Sequence, residues 1–148
     1  MPKTEKPRAH KLIDSASLVG IKARKSLDLI SYIQRGLPVT TLKTLGEKTG
    51  LTSEQVRTGI GMSERTLARR RKQAENLTSE ESDRVFRLSR VFSAAVRLFE
   101  GNSDAARQWF LAPNRAFTGQ SPLDMIQTEM GAREVENLIG RLEHGVFN

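Results

Sequence analysis

The sequence predicts an all-α fold, and two observations carry that prediction. Strand signals are almost absent, since no convincing run of alternating β-branched residues and no Asn-Gly or Asp-Gly hairpin turn occurs. Helix caps and helix-ending glycines are dense instead. A chain of 148 residues with 37% hydrophobic residues and a mean hydropathy of −0.46 can bury one modest core.

Four short helices are predicted in the first half, over residues 26–35, 40–49 and 53–60 and from Ser63 onward. Leu27, Ile30 and Ile33 recur at steps of three in the first of them, and Leu42 and Leu45 point inward in the second. Residues 1–25 have two prolines and scattered charge, and we expect them to form a basic arm, either mobile or a marginal helix.

The second half predicts a longer helix and three more. Thr78 and Glu81 have capping-box spacing. A seam of apolar residues follows at steps of 3, 4, 3 and 4, formed by Val85, Leu88, Phe92, Ala95 and Phe99. This seam fits either the core of the chain or the contact of a dimer. We expect further helices over 103–111, from Ser121, and after Gly131, the last with Val135, Leu138, Ile139 and Leu142 on one stripe.

Charge divides the chain into two parts. Residues 1–75 carry 16 Lys and Arg against 7 Asp and Glu, a net charge of +9. Residues 76–148 carry 8 against 10, a net charge of −2. A basic half beside a weakly acidic half indicates that one half meets a polyanion. We therefore predict three regions: an arm over 1–25, a DNA-binding domain over 26–77 and a second helical domain over 78–148.

The segment from Leu51 to Lys72 has the form of a helix-turn-helix. A short capped helix runs into Gly61-Met62-Ser63, and a second helix begins at once. Because a recognition helix reads bases with its N-terminal residues, the candidates for base contacts are Ser63, Arg65, Thr66 and Arg69. Further along, Arg70, Arg71 and Lys72 are candidates for phosphate contacts. The alternative for this basic run is a solvated helix end.

The densest group of unusual residues runs from Trp109 to Leu123. It holds the only tryptophan, two prolines and Phe117. Its aromatic residues fit either the core of a small helical domain or a shaped protein-binding loop.

This second half resembles a known family. The residues that carry the resemblance are Trp109, Pro113-Asn114, Ala116-Phe117, Gly119, Pro122-Leu123-Asp124, Thr128-Glu129, Gly131, Val135 and the ending Arg141-Leu142-Glu143-His144-Gly145-Val146. They are similar to the C-terminal toxin-binding domain of Xre, MbcA and ParS antitoxins. The helix-turn-helix resembles that of the same family through Gly61-Met62-Ser63, Thr66-Leu67 and Arg70-Arg71-Lys72.

The resemblance implies a function. It implies an antitoxin that forms a homodimer, occludes the active-site cleft of a RES-type toxin that depletes NAD, and represses its own operon by binding double-stranded operator DNA. The residues expected to contact the toxin are Trp109, Asn114, Arg115, Arg141, His144 and Gly145. Arg141 is the expected plug of the cleft; the alternative is that Arg141 and His144 merely decorate a helix end.

Catalysis, cofactors and membranes are not expected. His10 and His144 lie at opposite ends of the chain, outside any metal-ligand spacing, and no phosphate-binding glycine loop or nucleophile elbow occurs. Without cysteine, an apolar run of about 20 residues or a signal peptide, the chain is expected in the cytoplasm, and near the nucleoid when bound to an operator. The alternatives are a stand-alone repressor whose second half dimerises or senses a ligand, and an enzyme with a helix-turn-helix appendage.

Overall fold

A computed structural model describes residues 15–22 and 25–145, which form helices and connecting turns without any strand. Residues 15–17 are helical, and from Ser26 to Gly145 eight α-helices follow in order: α1 (Ser26–Arg35), α2 (Thr41–Thr49), α3 (Ser53–Ile60), α4 (Glu64–Gln73), α5 (Ser79–Leu98), α6 (Ser103–Leu111), α7 (Pro122–Met125) and α8 (Glu129–Glu143). A short 3-10 helix, Arg115–Phe117, lies between α6 and α7. The all-α prediction is confirmed.

Local capping explains where most of the helices begin. Thr52 accepts the backbone N–H of Gln55, and the Gln55 side chain accepts the N–H of Thr52 in return. Thr78 and Glu81 form the same reciprocal pair at the start of α5. Because such caps use only residues three apart in sequence, they can be predicted without the fold, and the predicted Thr78–Glu81 box is confirmed.

Helix α5 is the centre of the fold. It packs against α1, α2, α3, α6 and α8. Its apolar seam is turned into the chain's own core, where Val85, Leu88, Phe92 and Ala95 are fully buried and Phe92 meets the edge of Phe110 at 5.4 Å between ring centroids. The seam is therefore core packing, and the dimer alternative for it does not hold.

One hydrophobic cluster continues through both halves of the chain. It includes Leu45 and Ile60 from the first half and Phe110 and Ile139 from the second. Helix α3 also contacts α7, so the two halves meet away from α5 as well. The cluster thus fixes the position of α3 relative to the second half.

Two boundaries differ from the sequence predictions. Helix α8 begins at Glu129, with Thr128 as the N-cap, rather than after Gly131. A Cβ at Gly131 would overlap the carbonyl oxygen of Met125. This glycine therefore lets the first turn of α8 lie against the backbone of Met125, and it does not mark a helix boundary.

The second difference concerns the predicted arm. Residues 15–22 fall within it, yet Ala16 and Val19 are buried and Lys48 Nζ donates to the Ser17 carbonyl at 2.6 Å. The rest of the arm, residues 1–14 and 23–24, lies outside the described residues, as do 146–148. Within the described ranges, none of the helices is long and apolar enough to cross a bilayer.

Candidate functional site

The turn between α3 and α4 has the geometry of a helix-turn-helix. Gly61 adopts the left-handed conformation with φ 64°, and its N–H bonds back to the end of α3. Met62 is buried beneath the turn. Ser63 then begins α4 by accepting the N–H of Thr66 at 3.1 Å. The chain therefore changes direction within three residues.

Helix α4 presents one strongly basic face. Its only buried residue is Leu67, which points into the core. At 100° per residue, Arg65, Arg69 and Lys72 lie together on the side opposite Leu67, and all three are exposed. None of the three forms an ion pair with another described residue. This face can meet a polyanion without first breaking an internal contact.

The two hydroxyls at the start of α4 are already partly used. The Ser63 hydroxyl donates to Thr66 Oγ1 at 2.9 Å while it caps the helix. Thr66 is half-buried, whereas Ser63 is exposed. Both side chains still lie at the N-terminal end of the helix, where base contacts are made in this motif.

Arg70 differs from its basic neighbours because it is committed to two carboxylates. Its guanidinium contacts Glu75 at 2.8 Å and Glu81 at 3.1 Å, and only 16% of its side chain is exposed. The hydrogen bond to Glu75 and the attraction of Glu81 raise the pKa of Arg70 above its ordinary value. A phosphate contact by Arg70 requires the loss of these pairs, so its predicted role in DNA binding competes with a role in fastening α4 to α5.

Arg71 faces a groove that the sequence did not reveal. The groove lies between α2, α3 and α4, encloses about 330 Å³, and has an apolar floor that includes Leu42, Val56 and Leu67. Arg57 lines it beside Arg71. Arg57 is thus a further cation beside Arg71, on the groove side of α4, and it was missed because its position depends on how α3 packs against α4.

Asn114 organises the loop between α6 and α7 through hydrogen bonds of its side chain and its backbone. The Asn114 side chain accepts the N–H of Ala116 at 3.0 Å, and its carbonyl accepts the N–H groups of Phe117 and Gly119. Phe117 is buried, so it belongs to the core. Arg115 is exposed on the outer side of the same loop.

Trp109 has both a core role and an accessible part. It is half-buried and packs against Phe99 with 6.3 Å between ring centroids. The sequence left open whether Trp109 and its aromatic neighbours fill the core or bind a protein. In the structure most of the Trp109 surface is covered by the hydrophobic core. Asn114 and Arg115 lie in the loop that follows, so three of the predicted toxin-binding residues are near one another along the chain.

Helix α8 is held by an ion-pair network with α5. Arg87 contacts Glu129 at 3.0 Å, and Arg90 contacts Glu129 at 3.2 Å and Glu136 at 2.8 Å. Burial alone would lower the pKa of Arg90, but the attraction of Glu136 and Glu129 outweighs it and raises that pKa. The network fixes the orientation of the first half of α8 relative to α5.

The remaining predicted residues lie at the end of α8. Arg141 is half-buried, His144 is exposed at the C-cap, and Gly145 turns the chain in the left-handed conformation with φ 68°. Met130 at the other end of α8 is 78% exposed, and sequence reasoning missed it. A helical wheel could have found it, because Met130 lies opposite the buried stripe.

Comparison with known proteins agrees with this arrangement. The profile of the antitoxin Xre-like helix-turn-helix domain matches residues 28–90. The profile of the antitoxin Xre/MbcA/ParS C-terminal toxin-binding domain matches residues 94–145. The two matched regions meet within α5.

Full-length relatives cover most of the chain. Antitoxin Xre of Yersinia enterocolitica is 36% identical over 130 residues, and antitoxin Xre of Photorhabdus laumondii is 35% identical over 130 residues, each alignment covering 88% of both chains. Antitoxin Xre of Pseudomonas putida is 30% identical over 118 residues, which cover 80% of this chain and 72% of that protein. The chain belongs to the Xre antitoxin family, with a helix-turn-helix domain followed by a toxin-binding domain.

Proposed function

We propose that this antitoxin neutralises a RES-type toxin that depletes NAD, and that it represses its own operon as a homodimer. One observation carries the proposal. A single chain joins helix α4, whose Arg65 and Arg69 are exposed and form no ion pair with another described residue, to a second half that matches a toxin-binding domain. The resemblance of residues 109–146 to antitoxins paired with RES toxins supports the choice of toxin. The chain itself has no catalytic role in this scheme.

DNA binding is assigned to the outer face of α4. In this scheme Arg65 and Arg69 read guanine edges, and Ser63 and Thr66 contact bases from the start of the helix; the exposure of Arg65, Arg69 and Ser63 supports these roles. Arg71 and Lys72, with Arg57 from α3, supply phosphate contacts. Arg70 serves mainly to hold α4 against α5, since both of its carboxylate partners are engaged.

Toxin binding is assigned to the loop after α6 and to the end of α8. Trp109, Asn114 and Arg115 provide a rigid shoulder, while Arg141, His144 and Gly145 approach the cleft. A toxin that binds a dinucleotide has a polar cleft, so a guanidinium such as that of Arg141 suits its occlusion. The mechanism is steric and electrostatic exclusion of the substrate.

Two variants test this division of labour, and each is the control for the other. The double variant Arg65→Ala/Arg69→Ala is expected to lose operator binding and to keep toxin neutralisation, because its changes are confined to the exposed face of α4. Arg141→Glu is expected to release the toxin and to keep operator binding. Operator affinity is measured by fluorescence anisotropy, and neutralisation by growth and cellular NAD during co-expression with a RES-type toxin.

The outcomes separate the alternatives. If neither the purified chain nor its variants capture a RES protein, a stand-alone repressor takes the place of the antitoxin mechanism. If Arg65→Ala/Arg69→Ala abolishes neutralisation while circular dichroism shows a folded protein, the two tasks are not divided as proposed. NAD turnover by the purified chain alone would contradict a non-catalytic role.

A further inference from the structure

The groove between α2, α3 and α4 has a preformed apolar floor. The floor residues come from all three helices and from the connection between α2 and α3, and they are Leu42, Leu51, Val56 and Leu67. All four side chains are buried members of the main hydrophobic cluster, so the core holds them in place. The groove's volume of about 330 Å³ lies within the roughly 300–1,000 Å³ that small-molecule pockets enclose. It can therefore take a small ligand without rearrangement of the fold.

Two arginines line this groove, and neither forms an ion pair with another described residue. Arg57 of α3 is half-buried, and Arg71 of α4 is exposed. Arg71 follows Leu67 by four positions, so it lies on the side of α4 that contributes to the floor. An anionic group held by these guanidiniums would have an apolar surface directly beside it.

The carboxylates around the groove limit how many anionic groups a ligand can carry. Glu47 lines the groove as well, but it pairs with Lys43 one helical turn away, at 4.0 Å. An adjoining polar cavity shares both arginines with the groove and is also lined by Glu54 and Glu64. These two carboxylates would repel a second anionic group that extended past the arginines. The charges therefore favour a ligand with one anionic head and an apolar body.

We infer that this groove binds a small amphipathic carboxylate, whose head pairs with Arg57 and Arg71 and whose hydrocarbon chain lies on the floor. A guanidinium holds a carboxylate through two parallel N–H···O bonds, so the arginines recognise the head group. Burial of the chain supplies the remainder of the affinity. The ligand class is a free monocarboxylic acid of medium chain length.

Occupancy of the groove has a consequence for DNA binding, and this step rests on the proposed function. In that scheme Arg57 and Arg71 supply phosphate contacts. A carboxylate that pairs with both guanidiniums neutralises charges that would otherwise meet phosphates. The ligand and DNA are therefore expected to compete.

Isothermal titration calorimetry of the full chain with octanoate tests the site without DNA. Arg57→Gln/Arg71→Gln is expected to weaken octanoate binding by at least about tenfold, because charge-assisted hydrogen bonds are lost. Arg71→Gln alone should weaken it in the same direction, and this change at an exposed residue should leave the circular dichroism spectrum unchanged.

Arg35→Gln is the matched control for these variants. Arg35 is also exposed and forms no ion pair with another described residue, but it lies on α1 and does not line the groove. This variant should bind octanoate as wild type does. A wild type that binds no octanoate would overturn the inference, as would equal affinities of wild type and Arg57→Gln/Arg71→Gln.

A series of ligands tests the floor, because its residues cannot be replaced without disturbing the core. Octan-1-ol keeps the chain without the charge, and acetate keeps the charge without the chain. Each is expected to bind at least about tenfold more weakly than octanoate. Octanedioate should also bind more weakly, because its second carboxylate approaches Glu54 and Glu64. Octan-1-ol that binds as tightly as octanoate would overturn the role of the arginines.

Competition with DNA is measured separately, by fluorescence anisotropy with duplex DNA from upstream of the chain's own reading frame. Saturating octanoate is expected to weaken DNA binding by at least about threefold, and acetate at the same ionic strength is expected to have no such effect. Octanoate binding with an unchanged DNA affinity would overturn the competition and contradict the phosphate contacts proposed for Arg57 and Arg71, whereas the calorimetry would still support the site.

Other occupants of the groove give different results. If a second copy of the chain covers it, the affinity for octanoate falls as the protein concentration rises. If the toxin covers it, addition of a RES-type toxin abolishes octanoate binding. Either result would overturn the assignment of the groove to a free carboxylate.

Discussion

Ala74 ends the recognition helix α4 in a conformation that L-residues rarely adopt. Its φ is 51° and its ψ is 35°, and the N–H of the following Glu75 reaches back to the Arg70 carbonyl at 3.1 Å. This is the hydrogen-bonding pattern of a helix end at which glycine is normally favoured. The side chain of Ala74 therefore costs stability at the point where α4 turns toward α5.

Replacing Ala74 with glycine is expected to stabilise the chain by about 0.5–1 kcal/mol, because the gain from relieving the left-handed conformation exceeds the added flexibility of the unfolded chain. Urea unfolding measures the change. Gly61→Ala is the opposite control. Gly61 has the same left-handed conformation, and no atom lies within 4 Å of the Cβ that alanine would add, so this variant should lose a similar amount of unfolding free energy. A destabilised Ala74→Gly variant would contradict the argument.

Single residues differ in how far sequence alone could define them. Ser63 could be predicted as an N-cap because its partner Thr66 is three residues away. Arg70 was predicted to contact phosphate, and nothing in its local sequence distinguishes it from Arg69. Its pairing with Glu81 depends on the fold, since it requires α5 to begin beside the end of α4.

At the scale of elements, α8 shows how two helices are joined by charge at the edge of a core. Arg87 and Arg90 of α5 share the Glu129 carboxylate. Burial alone would raise the pKa of Glu129, but the attraction of Arg90 and the hydrogen bonds from both arginines outweigh it, so that pKa lies below its ordinary value. The unfolded chain therefore binds this proton more readily than the folded chain does.

The consequence is a pH-dependent stabilisation. The contribution of Glu129 is fully present above its unfolded pKa near 4.5 and is lost as the pH falls through the lower pKa of the folded state. Glu129→Gln is expected to cost about 1 kcal/mol at pH 7, a modest value because the carboxylate is nearly half exposed to solvent. The difference from wild type should shrink between pH 5 and about pH 3, as followed by urea unfolding.

The exposed Glu134 on the same helix offers a matched control. Glu134→Gln should leave the unfolding free energy nearly unchanged across this range. A Glu129→Gln deficit that stays constant down to pH 3 would show that the carboxylate charge is not its source.

The bounds of the helices could be predicted better than which side of each helix is buried. The bounds of α3 and α6 follow from their caps and terminal residues, and the buried seam of α5 follows from its periodicity. Helix α1 was predicted from Leu27, Ile30 and Ile33, yet its buried residue is Leu29 while Leu27 is exposed. Its sequence offers two apolar faces, and the choice between them depends on the position of Phe86 on α5.

At the scale of the whole molecule, the continuous core indicates that the two halves unfold together. The predicted boundary at residues 77 and 78 lies in the connection between α4 and α5, but the hydrophobic cluster crosses it. Trp109, the only tryptophan, reports on the second half, whereas far-ultraviolet circular dichroism reports on helices of both. The urea midpoints of the two signals are expected to coincide.

A core variant makes the test sharper. Phe110→Ala, in the second half, should lower both midpoints equally and cost about 3 kcal/mol or more. If only the midpoint of the Trp109 signal falls, the two halves are independent folding units. The boundary at residues 77 and 78 would then separate two domains that unfold on their own.

Helix α5 is matched by the DNA-binding profile up to residue 90 and lies within the toxin-binding profile from residue 94. The side chains of α5 pack against helices of both halves. If one half is exchanged with that of a relative, the contacts between α5 and the other half therefore change as well. If the toxin contacts are those proposed above, new toxin specificity is expected from substitutions at the end of α8 and in the loop before α7, which leave the packing of α5 unchanged. A chimera joined at the turn before α5 would inherit a foreign central helix, and its first defect would be in folding rather than in recognition.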